Sequence, residues 1–388
     1  MIRYLLIFVF LLATVSQAAA QEPDNKTLKK ARRDSIRQTR NFRFSGMGGP
    51  AYTPELKLIV GANLLVTFST NISDTSLQRS SNITYLAVGI EGAIILMNKG
   101  NVFLKNDRFR IMHTFWYKNM PDNYFGVGYE PNLYIPKGPN TTAYHRNWFQ
   151  FMPEFLFEAV KGLFAGILID INQTLSAEVQ PLMQGEPYYY RYGPNNFNAG
   201  FGVIGQYDTR DNVSNAYKGV FFKVVAIDYS SVFGSENNYQ IIDMDYRQYK
   251  QLWRPRHILA WTLRSRISMG NIPYAELSMV GSPYDLRGYL WGRFRDRTMV
   301  LGILEYRHMF NPVNSKRKEN FWSRHGIAMW AGAGFLGHHI NDWNLPQILP
   351  NAGLGYRLEL QPRLNVRIDV GFGIDGSTGV YVQLTEAF

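Results

Sequence analysis

Few residues of this chain could carry catalysis or bind a metal ion. His325 and the adjacent pair His338-His339 have no acidic residue at ligand spacing, and adjacent side chains in a strand point to opposite faces. The sequence has no Gly-x-Ser-x-Gly elbow, phosphate-binding loop or paired-carboxylate motif. We therefore expect no catalytic residue, metal or cofactor. A Ser/His pair could still form from residues that are distant in sequence, so a barrel enzyme acting on lipids is kept as the last-ranked alternative function.

Two short polar motifs are more distinctive. The first is Leu286-Arg287-Gly288-Tyr289, which follows Gly281-Ser282-Pro283-Tyr284-Asp285 in a loop between two strand patterns. The second is Tyr207-Asp208-Thr209-Arg210-Asp211-Asn212, which ends a strand pattern. An ordinary solvated turn would explain either motif, and in the second Asp208, Arg210 and Asp211 could satisfy one another. Their surroundings must decide whether they do more.

Long runs of alternating polarity surround both motifs. In the clearest run, Leu364 to Ile374, apolar residues occupy one face while Arg367 and Asp369 share the other. About nine to eleven residues of a tilted strand cross a bilayer, so this run is long enough to span one. Its apolar face would then meet lipid, and the face with Arg367 and Asp369 must look into a lumen. Fourteen runs predict strands: 55–69, 82–98, 101–117, 143–158, 160–176, 197–209, 217–230, 237–252, 256–270, 298–311, 322–337, 350–361, 363–374 and 378–388.

Composition agrees with an exported membrane β-barrel. Aromatic residues make up 15% and charged residues 18% of the 388 residues, with 34 glycines and no cysteine. Residues 1–20 have the basic start, apolar core and small-residue end of a signal peptide. Residues 21–50 predict a basic periplasmic leader, and 51–388 the barrel. The formal charge of +11 is spread singly, which favours lipid headgroups and a charged lumen over nucleic acid.

The chain's end also suits a barrel. Tyr381 and Phe388 are predicted to lie on a closing strand that pairs with the first strand, because an open edge in lipid would leave backbone groups unsatisfied. Glu386 would share a face with Phe388 and would have to lie near the membrane interface.

The motifs, taken in order, resemble the barrel domain of the BamA/TamA superfamily, the bacterial surface antigen family. They are the motif at 207–212, the Arg287 loop, Leu304-Glu305-Tyr306-Arg307, Gly332-Ala333-Gly334 and the terminal Phe388. The resemblance implies an all-β, sixteen-stranded outer-membrane barrel whose Arg287 loop folds into the lumen and pairs with Glu305. The family's second acidic position corresponds to Gly332 here, so Asp369 is a candidate substitute.

The resemblance implies a role in outer-membrane protein assembly or transport, through the seam between the first and last strands. Only about thirty residues separate the signal peptide from residue 51, so we expect no POTRA domains, the periplasmic modules that capture substrates in this family. The expected partners are outer-membrane lipid and lipopolysaccharide, with client barrels or accessory envelope proteins in an assembly role. The alternative is a structural or pore-forming barrel in which the loop is a plug.

Overall fold

The chain forms one large antiparallel sheet in a computed structural model that describes residues 41–53, 56–74, 77–213, 215–254, 256–310, 321–342, 344–361, 363–374 and 376–388. The signal peptide and the leader up to residue 40 lie outside the described residues. Sixteen strands follow one another in chain order around the sheet, and two short strands pair separately inside one connection. The sheet is that of a sixteen-stranded transmembrane β-barrel.

The strands, numbered along the chain, are β1 (Arg43–Thr53), β2 (Lys57–Phe68), β3 (Ser80–Gly89), β4 (Ile94–Leu104), β5 (Phe109–Asn123), β6 (Ala143–Val160), β7 (Leu163–Ala177), β8 (Asn195–Asp208), β9 (Gly219–Tyr229), β10 (Tyr239–Gln251), β11 (His257–Gly270), β12 (Ser278–Met279), β13 (Arg295–Asp296), β14 (Thr298–Met309), β15 (His325–Gly337), β16 (Leu349–Gln361), β17 (Leu364–Gly373) and β18 (Thr378–Leu384). The separate pair is β12 with β13.

Helices occur only as short segments of the connections in the described ranges. They are α1 (Tyr129–Tyr134), α2 (Pro181–Gln184), α3 (Pro187–Tyr192) and 3-10 turns at Ser231–Phe233, Tyr274–Glu276, Phe321–Arg324, Ile340–Asp342 and Leu345–Gln347. None of the described helices is long and apolar enough to cross a bilayer.

Alternation decides which face of the sheet meets lipid. On β7, Leu163, Ile167 and Ile169 are 42–46% exposed, whereas Asp170 and Asn172, on the opposite face, are at most 2% exposed. Apolar side chains therefore cover the outside and polar side chains line the lumen, as a bilayer-spanning barrel requires. The long connections 124–142, 178–194 and 271–297 share one end of the barrel, called here the long-loop end. The tight turn at 161–162 and the short β10–β11 and β16–β17 connections share the other, the short-turn end.

The predicted strand pattern was wrong in two places before residue 200. The runs 82–98 and 101–117 are parts of three strands, β3 to β5, because Lys105, Asn106 and Asp107 all adopt left-handed φ values of 50–67° and reverse the chain. The barrel also begins earlier than residue 51, since β1 starts at Arg43. The glycines and proline of β1 weaken the strand signal, but a proline is tolerated at the end of a sheet.

Candidate functional site

The 271–297 connection enters the lumen in an ordered path. A 3-10 turn at Tyr274–Glu276 leads into the β12–β13 pair, which closes a tip at residues 281–292. Asp285 organises the tip because its carboxylate accepts hydrogen bonds from the main-chain N–H of Gly281 and of Ser282, both at 2.8 Å, and from the Ser282 hydroxyl at 2.6 Å. Its burial raises the pKa of that carboxyl, while the Ser282 hydroxyl opposes the shift.

Arg287 is fully buried and joins the loop to three wall strands. Its Nη2 donates to Oε2 of Glu305 on β14 at 2.5 Å, and its Nη1 donates to Oδ2 of Asp369 on β17 at 2.6 Å. The guanidinium also lies over the ring of Trp330 on β15, 3.5 Å from its centroid. Such charge-assisted, stacked geometry is what a buried arginine needs to offset its desolvation.

Arg287 and its two carboxylate partners belong to a larger cluster of charged side chains, called here the Arg287 cluster. Arg307 Nε donates to the other oxygen of Glu305 at 2.8 Å. Arg357 bonds Asp369 at 2.5 Å and Glu386 at 2.9 Å, and Arg367 also bonds Asp369. The members are Arg287, Arg307, Arg357, Arg367, Glu305, Asp369 and Glu386, all at most 5% exposed. Four cations thus face three anions, which leaves a formal excess of one positive charge.

The loop backbone lies directly on the wall at Gly288. This residue has φ +123°, and a Cβ placed on it would come within 2.7 Å of the backbone of Phe372. A Cβ on Gly371 would come within 2.4 Å of the Arg287 carbonyl oxygen. Glycine at both positions is therefore what allows the backbones to touch.

Two tyrosine hydroxyls stabilise the contact between the loop and the wall. The hydroxyl of Tyr381, on β18, accepts from the Gly288 N–H at 3.1 Å and donates to the carbonyl of Tyr289 at 3.3 Å. Tyr289 donates its own hydroxyl to the Pro350 carbonyl at 2.7 Å. Leu286, the first residue of the motif, is 0% exposed and belongs to the same buried cluster as Tyr289.

A second anchor, not found by sequence reasoning, holds the loop against β5 and β6. The Lys118 ammonium lies 4.4 Å from the ring centroid of Trp291 in the loop, 4.5 Å from that of Trp116 and 4.8 Å from that of Trp148. Three aromatic faces around one cation are favourable in a desolvated site. The sequence shows Trp116 two residues from Lys118, but Trp148 and Trp291 are far from Lys118 along the chain.

Glu276 is another carboxyl group of the loop whose pKa is raised by burial. Glu276 lies in the 3-10 turn, and burial raises its pKa to about 7, although Arg266 Nη2, 3.9 Å from its carboxylate, opposes the shift. A cavity of about 420 Å³ adjoins this turn and is lined by residues that include Glu154, Lys223, Asp243, Arg264 and Arg266.

Several solved structures have a fold similar to that of this chain. BamA from Haemophilus ducreyi lacking POTRA domains 1–3 has a TM-score of 0.57 at 11% identity, covering 89% of this chain and 70% of that chain. CdiB from Escherichia coli has a TM-score of 0.54 at 9% identity, with coverages of 88% and 62%, and CdiB from Acinetobacter baumannii has 0.52 at 10%, with 89% and 60%. The chain folds as a BamA-like outer-membrane barrel.

The BamA-like fold confirms the predicted resemblance at the level of architecture. The chain spans about three fifths of the length of the two CdiB structures. No family model and no curated protein matches the sequence.

Gly332 stands at the position for which the resemblance predicts a second acidic partner of the loop arginine. A side chain there would meet the carbonyl of Gly302 and the Asn351 amide, each 2.8 Å from the Cβ position. Asp369 provides the second carboxylate from β17 instead, so Arg287 keeps two anionic partners.

Tyr381 lies on the last strand as predicted, but the prediction for residues 385–388 was wrong. β18 stops at Leu384, and Thr385 adopts φ +69°, which breaks the alternation and turns the next residues inward. Glu386 therefore does not face the interface but pairs with Arg357, and its Oε1 accepts from the Asn365 amide at 2.7 Å. Phe388 lies beyond the closing strand, in the buried cluster that contains Leu286.

The strand-end motif lies at the short-turn end, at the end of β8, whereas Arg287 lies in the connection from β11 to β14. Asp208 ends β8 and accepts two hydrogen bonds from Arg210, at 2.9 and 3.0 Å. Arg110 lies 3.6 Å from the same carboxylate. Tyr207 is 40% exposed on the outer face. The structure thus brings Asp208 and Arg210 together, as a self-satisfied turn, whereas Asp211 points elsewhere.

Proposed function

We propose that this outer-membrane barrel acts in the assembly or transport of outer-membrane proteins, by opening the sheet between β1 and β18. These strands are the two ends of the sheet order. β18 has 7 residues, against 10 in β17 and 13 in β16, so it offers few ladder hydrogen bonds. β1 contains Gly46, Gly48, Gly49 and Pro50, which pack little and, at the proline, donate no hydrogen bond.

The short length of β18 and the glycine and proline content of β1 are the observation that carries the proposal. Where a short strand and a glycine-rich strand end the sheet order, a pairing between them would separate at least cost, and a separated edge can pair with a strand of another protein. Client barrel proteins, delivered alone or by accessory envelope proteins, are the partners that the proposal implies.

The loop supports the proposal by fixing the wall beside the seam. Arg287 ties β14, β15 and β17 to one point, and Tyr381 ties β18 to the loop backbone. Opening at the seam therefore leaves the wall from β14 to β17 intact.

Locking the seam tests the proposal. Because the chain has no cysteine, engineered pairs between β1 residues 46–50 and β18 residues 379–383 report only on this seam. The matched control is Val370→Cys with Val380→Cys, which are partners across β17 and β18 and lock a pairing that should never open. Oxidising the seam pair should lower the membrane abundance of other barrels, as depletion of the protein should, whereas the control should not. Unchanged abundance under both depletion and locking would refute the assembly role.

A plugged pore is the second candidate, favoured by the cavity of about 420 Å³ beside the loop. In this function the loop blocks a lumen that otherwise conducts ions or small solutes. Planar-bilayer recordings test it: removal of residues 281–292 should raise conductance above that of the intact protein. Equal conductance of the two would count against a plug.

A further inference from the structure

The β8–β9 connection folds across the lumen at the short-turn end rather than outward. Its last residues are deeply packed: Ala216 is 2% and Tyr217 is 9% exposed. Both belong to the buried cluster that also contains Tyr249 of β10, Ile258 of β11 and Phe388. A turn whose side chains are shared with the barrel interior lies in its mouth.

Arg363 holds this turn from the far wall. It sits in the β16–β17 turn, where its Nη1 donates to the Asn215 carbonyl at 2.9 Å and its Nη2 to Asp211 Oδ2 at 3.0 Å. The guanidinium lies 3.3 Å from the ring centroid of Tyr217. In the sheet order β10, β11, β14 and β15 separate β9 from β16, so these contacts span the mouth instead of linking neighbours.

Asp211 serves both sides of the contact. Its Oδ1 accepts from the main-chain N–H of Tyr217 at 2.9 Å and of Lys218 at 3.3 Å, which shapes the turn. Its Oδ2 receives Arg363. The turn therefore presents a preformed carboxylate, carbonyl and aromatic face to one arginine.

The backbone of Arg363 adopts a conformation that is unfavourable for an arginine. Its φ is +66°, the left-handed region that glycine or asparagine occupies most readily. An arginine at this position accepts an unfavourable backbone conformation, and the three contacts of its side chain offset that cost.

We propose that the β8–β9 turn is a gate at the short-turn mouth of the barrel, held shut by Arg363 through Asp211, Asn215 and Tyr217. By the usual asymmetry of outer-membrane barrels, short turns face the periplasm. The gate thus closes the periplasmic mouth, while the loop around Arg287 occupies the lumen from the opposite end. The side chains of Arg363 and Asp211 are 30% and 19% exposed, so the latch is partly solvated and weak enough to open in use. This inference does not depend on which transported molecule passes.

Labelling of a single lumen cysteine tests the gate. Val225→Cys places a near-isosteric thiol on β9, facing the cavity of about 420 Å³. In detergent, the rate of its reaction with a charged, water-soluble thiol reagent measures access to the lumen. Arg363→Gly should raise this rate on the order of tenfold, from the loss of a partly exposed ion pair and a cation–π contact. Arg363→Lys, which keeps the charge but not the planar stack, should give a smaller increase.

Arg256→Gly is the matched control. Arg256 lies at the same end, also has a left-handed φ of +65°, and also pairs with a carboxylate, Glu359 at 2.5 Å. Its other bond goes to the Ser323 carbonyl, so its side chain bonds β16 and the segment before β15 rather than the β8–β9 turn. Glu359 also accepts the main-chain N–H of Arg363 at 3.1 Å through its other oxygen, so the control tests whether disturbing this carboxylate alone opens the mouth. Its substitution should leave the labelling rate unchanged.

Folding is followed by the gel mobility of unheated against boiled protein. Arg363→Gly should stay folded, since glycine suits the backbone there. An unaltered labelling rate in folded Arg363→Gly would overturn the gate, as would an equal increase in Arg256→Gly or fast labelling of the parent protein. No client protein takes part in this measurement, so its failure and that of the assembly role are distinguishable.

Discussion

Replacing Arg287 and replacing Glu305 should damage different parts of the molecule. Arg287→Ala removes one positive charge from a cluster of four cations and three anions, which leaves three of each. Glu305 keeps Arg307 at 2.8 Å, and Asp369 keeps Arg357 at 2.5 Å. The wall should therefore stay folded while the loop loses its deepest anchor.

Glu305→Gln should be worse for the barrel itself. Glu305 faces Arg287, Arg307 and Arg357 at 2.5, 2.8 and 3.5 Å, and its neutralisation leaves four arginines against two carboxylates. Breaking a buried pair in this way costs about 3–5 kcal/mol, because the remaining charges stay buried. The double variant should cost less than the sum, with a coupling of about 0.5–3 kcal/mol, since removing Arg287 reduces the excess charge.

Two readouts separate the outcomes. Trypsin cleavage near the loop arginines reports loop docking, and the temperature at which the compact gel species is lost reports the barrel. Arg287→Ala should become cleavable with a small shift in that temperature, and Glu305→Gln should show a large shift. A loop that stays protected in Arg287→Ala, or equal temperature shifts in the two variants, would refute the reasoning from charge balance.

Three further outcomes follow from the same geometry. Gly288→Ala should expose the loop to protease, because its Cβ would come within 2.7 Å of the β17 backbone, whereas Gly205→Ala, with open space at its Cβ position, should not. The pKa of Glu276 is about 7 in the docked loop against an ordinary 4.5, so loop protection should be strongest below pH 4.5 and decline as pH rises through 7; comparison with Glu276→Gln, which should lack this decline, removes the protease's own pH dependence. Ile169→Arg, at the middle of the lipid face of β7, should destabilise the barrel by about 2–4 kcal/mol, and Leu163→Arg, at the strand's end, by about 0–1 kcal/mol, which unfolding in lipid vesicles can measure.

Sequence reasoning captured the features that are periodic. The late strands β14 to β18 have strong alternation, and their order could be read because each apolar face must meet lipid. The early strands were harder: Lys105-Asn106-Asp107 resembles a charged strand edge, and the glycines of β1 resemble a linker. Local composition underestimates the tendency of such segments to form strands, because contacts with the neighbouring strands stabilise them.

The site was only partly readable for a related reason. Arg287 and Glu305 are 18 residues apart, on a loop and on the strand that follows it, and could be associated by motif order. The inward turn of Glu386 depends on one left-handed residue, Thr385, which no alternation rule predicts. Trp116 lies two residues from Lys118, but Trp291 and the partners of Arg363 come from distant parts of the chain, so spacing along the chain carries no signal for them.

The two sides of the seam are held unequally, and this decides which one should move. β18 is attached to the loop through the Tyr381 hydroxyl, which accepts one hydrogen bond from Gly288 and donates one to Tyr289, and the loop is fixed to the wall by Arg287. Residues 385–388 turn inward from β18 and add the Glu386 pair with Arg357. β1, by contrast, carries three glycines and a proline in an eleven-residue strand. If the seam opens in function, β1 should swing away while β18 stays with the wall. Spin labels on β1 should then broaden their distances to β14 when a client binds, and labels on β18 should not; the reverse pattern would place the weak side at β18 and contradict the anchoring role of Tyr381.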